Sequence, residues 1–150
     1  MAEWTSAAVQ TVNPGEAIVF TNTVKRCNRG LVLHRDDSGG FTLRGVGSPM
    51  NNGCGCGCCN QTVDYMVDFG ANIAIPTGQA VGPISVAFSL EGNTLTGTTM
   101  EVTPAAVEEF FNVSRAASVQ VWKGCCPTFS IRNTSPIPIL VEAANLVIKK

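Results

Sequence analysis

Apolar and polar residues alternate strictly along two stretches of the chain. In DYMVDFGANIAI, Tyr65, Val67, Phe69, Ala71, Ile73 and Ile75 fall on one face, with Asp64, Asp68, Gly70 and Asn72 on the other. In ISVAFSLE, Ile84, Val86, Phe88 and Leu90 alternate with Ser85, Ala87, Ser89 and Glu91. Successive side chains of a strand point to opposite faces, so a period of two predicts strands with one buried and one polar face. Weaker strands are predicted over 16–22, 29–34, 40–44, 94–102, 118–122, 127–133 and 138–149. Turn residues separate them: Asn13-Pro14-Gly15, Asp36-Asp37-Ser38-Gly39-Gly40, Pro76-Thr77-Gly78, Glu91-Gly92-Asn93 and Asn133-Thr134-Ser135-Pro136. Many short strands with a turn about every ten residues predict an all-β sandwich or barrel. Only PAAVEEFF (104–111) has a helix-like composition, and it reads equally as a helical turn or a strand lead-in.

Composition sharpens this picture. A chain of 150 residues fits one domain and buries roughly 70% of its unfolded surface. Apolar residues make up 45% and charged residues 14%, against a usual charged share of about 25%. So little polar cover predicts that some apolar surface is buried against other subunits. The net charge of −1 comes without a basic block, which argues against nucleic-acid binding. Lys25-Arg26 with Arg29, and Lys149-Lys150, read as solvated edges. No run approaches the ~20 apolar residues of a membrane helix. The start MAEWTSAAVQTV lacks the features of a signal peptide, so synthesis in a cytosol and release by lysis or assembly are expected.

The cysteines are the oddest feature: Cys27, Cys54, Cys56, Cys58, Cys59, Cys125 and Cys126. All seven are disulfide candidates, and an odd number leaves at least one thiol free or bonded between chains. A thiolate metal site drawing on Cys27, Cys54, Cys56, Cys125 and Cys126 is the alternative. Structural zinc normally uses C-x(2–4)-C spacing, whereas NNGCGCGCC offers C-x-C and C-C, so disulfides are favoured. Unreacted thiols are the third reading.

Other chemistry is sparse. His34, the sole histidine, stands beside Arg35-Asp36-Asp37 and reads as a hydrated loop residue with nothing to make it a catalytic base. Asp64 and Asp68 share a face but lie ~13 Å apart along a strand, too far for a glycosidase pair. Asp36-Asp37-Ser38-Gly39 is part of a calcium-loop pattern without the remaining ligands, and reads as a solvated turn. Trp122 and Phe110-Phe111 are expected in the core or at a subunit contact, with sugar stacking as the alternative. No catalytic residues and no cofactor are expected.

The segment order has a known counterpart. Gly40-Phe41 opens a strand, TVDYMVDFGANIAI forms a long one, and ISVAFSLEGNTLTGTTM carries a Gly92-Asn93 hairpin. SVQVW and the terminal SIRNTSPIPILVEAANLVIKK follow. This arrangement resembles the tumour-necrosis-factor-like family, which includes complement globular heads, and is similar to the C-terminal domains of collagen-like exosporium glycoproteins and related phage modules. The resemblance implies a TNF-like jelly-roll sandwich over 13–150 that forms a homotrimer, preceded by an N-terminal arm, 1–12. It implies a terminal strand near the threefold axis, with Ile137, Ile139, Val141, Leu146 and Ile148 as interface candidates. The expected role is that of a non-enzymatic virion surface protein, a capsid decoration or head fibre docked through the arm onto capsid protein. A spore or cell-surface layer protein and a carbohydrate-binding module are the alternatives, so the partners would be the chain itself, another surface protein, and glycans.

Overall fold

A computed structural model describes residues 1–27, 30–45 and 62–150. Twelve strands run through them: β1 (Ala2–Ser6), β2 (Gln10–Val12), β3 (Asn22–Lys25), β4 (Val32–His34), β5 (Phe41–Leu43) and β6 (Thr62–Ala74), then β7 (Ile84–Leu90), β8 (Asn93–Thr94), β9 (Met100–Val102), β10 (Phe111–Trp122), β11 (Thr128–Asn133) and β12 (Ile139–Lys149). They form two antiparallel sheets. The first has the order β10-β6-β12-β1-β3, with β2 also on β12. The second has the order β4-β5-β11-β7-β8, with β9 also on β7.

The long strand β6 behaves as its alternation requires. Tyr65, Val67, Phe69, Ala71 and Ile73 are buried, while Asp64 and Met66 are exposed. Its inward face meets the second sheet through aromatic rings. Phe69 stands edge-on to Phe88 at 6.4 Å, and Phe88 edge-on to Phe129 at 5.3 Å. Such edge-to-face pairs add about 0.5–1.5 kcal/mol beyond area burial. At the other end Phe41 takes Trp4 at 4.8 Å and Phe20 at 5.4 Å, both edge-on.

Local chemistry sets the connections. Glu91 (φ 52°) and Gly92 (φ 81°) both adopt left-handed backbone, the two-residue turn that suits a twisted hairpin, and Leu90 pairs with Asn93 across it. The expected strand over 94–102 is split. β8 ends at Thr94, a 3-10 turn spans Thr96–Thr98, and β9 resumes the pairing with β7. PAAVEEFF is a lead-in to β10, not a helix: Glu109 accepts hydrogen bonds from the Ala105 and Ala106 amides. Buried Asn133 donates to the Val12 and Ile137 carbonyls at 2.9 Å each and accepts the Ser135 amide at 2.8 Å. One amide thus ties together three connections.

Two expectations are corrected. Residues 1–12 are not an arm. Ala2–Ser6 is an interior strand, paired with β12 from Ala2↔Ile148 to Ser6↔Ala144 and with β3 on its other edge. Ala2, Trp4 and Ser6 are buried, a period-two signal present in AEWTS. Nor does the apolar row of the last strand face a partner. Ile139, Val141, Leu146 and Ile148 are all buried in the chain's own core, and Ile137 packs against that core. A bulge between Glu142 and Asn145, with Ala143 at φ 49°, shifts the alternation so that both halves of β12 point inward. The residues of that strand left to face outward are Leu140, Glu142, Asn145, Val147 and Lys149.

Candidate functional site

Two regions present chemistry: the outer face of the first sheet, and the end of the sandwich that carries Cys125 and Cys126. The outer face follows from pairing. On β10 and β6, Ser118 lies opposite Met66 and Ala116 opposite Asp68. On β12, Lys149 pairs with Met66 and Val147 with Asp68. Met66, 46% exposed, stands on this face between Ser118 and Lys149 across the strands and between Asp64 and Asp68 along its own strand. Lys149 and Asp68 form an ion pair there at 2.9 Å, which matches two of those charges. Asn145 donates to Glu3 at 2.9 Å, which engages a further carboxylate. Trp122 stands at the end of β10, 56% exposed, on the same face. It is therefore not a core residue. It borders a groove with Leu90, Glu91, Gln120, Cys125, Cys126 and Pro127.

At that end the strand connections interlock. The Gly45 amide donates to the Cys125 carbonyl at 2.8 Å, and the Gly124 amide to the Gly45 carbonyl at 2.8 Å. The approach is close enough that a Cβ on Gly45 would lie 2.0 Å from the Trp122 carbonyl oxygen, so only glycine fits. Tyr65 sits beneath, its hydroxyl donating to the Leu31 and Arg44 carbonyls. Burial pushes the Tyr65 phenol above its ordinary value of 10.0, and negative charge on Cys27 and, less strongly, Cys126 pushes the same way.

No disulfide joins Cys27, Cys125 and Cys126 to one another. Cys54, Cys56, Cys58 and Cys59 lie outside the described residues. Among the described residues no group of three His, Cys, Asp or Glu side chains is placed to hold a metal.

His34 departs from the expected hydrated loop. It is half-buried on β4, stacked on Phe41 at 4.2 Å with 13° between planes. Its Nδ1 lies 3.0 Å from the Gly40 carbonyl and its Nε2 3.2 Å from the Phe20 carbonyl. Both nitrogens face backbone carbonyls, and whichever carries the proton donates to one of them, so the ring ties two chain segments together. Asp36 and Asp37 lie in an exposed turn, as read. Sequence reasoning missed the buried Tyr65 hydroxyl. Tyr65 stands out in the sequence only as the polar-tipped member of an apolar row.

No helix among the described residues is long and apolar enough to cross a membrane. No protein-family model matches the sequence, and no curated protein does. Solved structures do resemble it. The globular domain of zebrafish complement 1qA protein superposes with a TM-score of 0.60 at 10% identity, covering 97% of this chain and 94% of that one. Rabbit GITRL gives 0.42 at 10% identity over 96% and 95%. A family 35 carbohydrate binding module from Clostridium thermocellum gives 0.33 at 11% identity over 93% and 98%. At such identities likeness extends to the fold alone: the chain is an all-β, two-sheet jelly roll similar to that of the complement globular domain.

Proposed function

We propose that this chain is a non-enzymatic structural module that works as a homotrimer, built by burying the outer face of the first sheet. The single observation that supports this most is that face itself: broad, with Met66 exposed at its centre between Ser118 and Lys149, and with Lys149 paired to Asp68. A monomer gains nothing from such a surface, and a sheet face of this kind is the usual form of a subunit contact. The interface moves from the inward row of β12 to its outward row and to β6 and β10.

The setting we favour is the surface of a phage virion, as a capsid decoration or head-fibre protein, with a spore or cell-surface layer as the alternative. With β1 held in the sheet, docking would use the exposed loops instead of an N-terminal arm. The seven cysteines, among them the exposed Cys125 and Cys126, favour cross-linking once the protein meets oxidising surroundings. A second reading, glycan binding, is favoured by the exposed Trp122 ring beside Gln120 in the groove next to Pro127.

Light scattering is the direct test. The expected mass is three times that of the chain, and Met66→Glu is expected to give monomers that keep the β-sheet circular dichroism. A monodisperse wild-type monomer overturns the proposal. Mass spectrometry of purified particles separates the settings: peptides found only in spore coats remove the virion.

A further inference from the structure

We infer that the cleft between the edge strands β3 and β4 is a binding site for an oxyanion, a carboxylate or sulfate group, held by the guanidinium groups of Arg26, Arg35 and Arg44. The cleft measures about 390 Å³, within the range of small-ligand pockets. It opens where the edge of one sheet faces the edge of the other, and Trp4, Thr23, His34 and Asp36 line it together with Arg26 and Arg35. Arg44, just past the end of β5, stands beside the cleft and not in its lining. A Cβ built on Gly30, which also lines the cleft, would lie 3.8 Å from Arg44 Nη1.

Charge is gathered here out of proportion to the chain. Residues 25–44 hold five of the ten Lys and Arg residues but only two of the eleven Asp and Glu. In a chain of net charge −1 that is a local surplus of three positive charges. The arginines of this cluster also differ from others in what they bond. Arg115 donates to the Gly97 carbonyl, and Arg132 to Ser130 Oγ and the Gly15 carbonyl. Among the described residues, the guanidinium groups of Arg26, Arg35 and Arg44 have no acceptor and no ion-pair partner.

Guanidinium is a rigid fork that matches the two oxygens of a carboxylate, or the oxygens of a sulfate, with paired charge-assisted hydrogen bonds. Two such forks in the lining and a third beside it, with no acceptor among the described residues, leave one to come from outside. Asp36 is the one carboxylate in the lining, and its Oδ1 accepts the Thr23 hydroxyl at 3.3 Å. It offsets one of the three positive charges. A ligand carrying both an anionic group and hydroxyls would therefore find donors at the arginines and an acceptor at Asp36. His34 donates nothing to it, because both ring nitrogens face backbone carbonyls. The site lies apart from the sheet face proposed for assembly, and its test is independent of oligomeric state.

The test is titration of the ¹⁵N-labelled full chain, followed by arginine Nε–H and backbone NMR shifts, with sodium sulfate, glucuronate and uncharged glucose at constant ionic strength. Saturable shifts confined to the residues around Arg26, Arg35 and Arg44 are expected with sulfate and glucuronate and not with glucose. Tighter binding of glucuronate than of sulfate identifies the ligand as sugar-borne, and equal binding identifies a free anion. Arg26→Ala and Arg35→Ala are each expected to weaken binding by about tenfold, the equivalent of one charge-assisted hydrogen bond. Their melting temperatures are expected to match wild type, since neither side chain bonds within the fold. Arg115→Ala is the control. Absence of saturable shifts, or an equal loss with Arg115→Ala, overturns the inference.

Discussion

The two sheets bury their inner faces alike, and their outer faces could hardly differ more. On the first sheet, the outward residues of β10 from Ser114 to Trp122 are exposed. On the second, the outward residues of β7 are not. Ser85, Ala87 and Ser89 are as buried as the inward Ile84, Val86 and Phe88. Neighbouring segments cover them. Thr134 and Ser135 fold onto Ser85, with hydroxyls bonded at 2.8 Å and the Ser135 Oγ accepting the Ser85 amide at 2.7 Å. Arg132 reaches over Ser130 at 3.1 Å. Around β7 the second sheet has closed its outer surface with small residues and a loop, and the first has left its surface open along β10. That asymmetry marks the first sheet as the one with an interface to offer.

The largest expected effect comes from adding bulk to each face. Ala87 is 0% exposed, so Ala87→Leu overpacks a closed layer and is expected to cost about 3 kcal/mol of stability. Ala116→Leu, on the open face, is expected to change stability by less than about 0.5 kcal/mol while altering association. Urea unfolding of both variants decides the matter. Equal costs would mean that the two faces are alike, and the comparison would fail.

This difference was only half legible in the sequence. Alternation in DYMVDFGANIAI located β6 and its inward face correctly because its outward residues meet solvent, as a simple pattern assumes. Alternation in ISVAFSLE located β7 equally well, yet it could not reveal that Ser85 and Ser89 are covered. Small hydroxyl side chains suit water and a tight layer equally, and what covers them comes from residues about fifty positions away. The same non-locality hid the site at the other end. Tyr65 lies on β6 and Cys27 just past β3, at the far edge of the same sheet, so nothing local in the sequence relates them. β1 was missed for a different reason: five residues at a chain start carry too little periodicity to outweigh the appearance of a tail.

Tyr65 sharpens the comparison from the inner side, since its hydroxyl reaches from the first sheet to carbonyls beside the second. Tyr65→Phe leaves the Leu31 and Arg44 carbonyls without that donor and is expected to cost roughly 1.5 kcal/mol at neutral pH. A phenol whose folded pKa is raised holds its proton more tightly in the folded state. Its contribution is thus fully present below the ordinary value of 10.0 and is lost as pH rises through the raised value. Thermal melts from pH 9 upward should show wild-type stability falling more steeply than that of Tyr65→Phe. Parallel curves would show that the hydroxyl is not buried as described.

Ser89 tests the closed face with a smaller and opposite effect. Its Oγ is buried and, among the described residues, has no hydrogen-bond partner. Ser89→Ala removes an unpaired polar atom and keeps the volume almost unchanged, so a gain of about 1 kcal/mol is expected in urea unfolding. A loss of that size would show that water or another group reaches the oxygen, and the face would not be closed.

The smallest effect on folding lies on the open face, and it is the most telling about assembly. Lys149 and Asp68 are 49% and 38% exposed, so their ion pair is expected to contribute less than about 0.5 kcal/mol to an isolated chain. Covering the face with another copy changes that balance. A buried pair contributes little in net terms, but removing one partner strands the other charge in a dry contact. Asp68→Asn and Lys149→Met should therefore each weaken association more than the double variant does, while leaving the melting temperature of the monomeric Met66→Glu background almost unmoved. Sedimentation equilibrium of the single and double variants reads this directly. Single variants that associate as tightly as wild type would place the subunit contact elsewhere, because an interface over β6 and β12 cannot ignore a charge left unpaired between them.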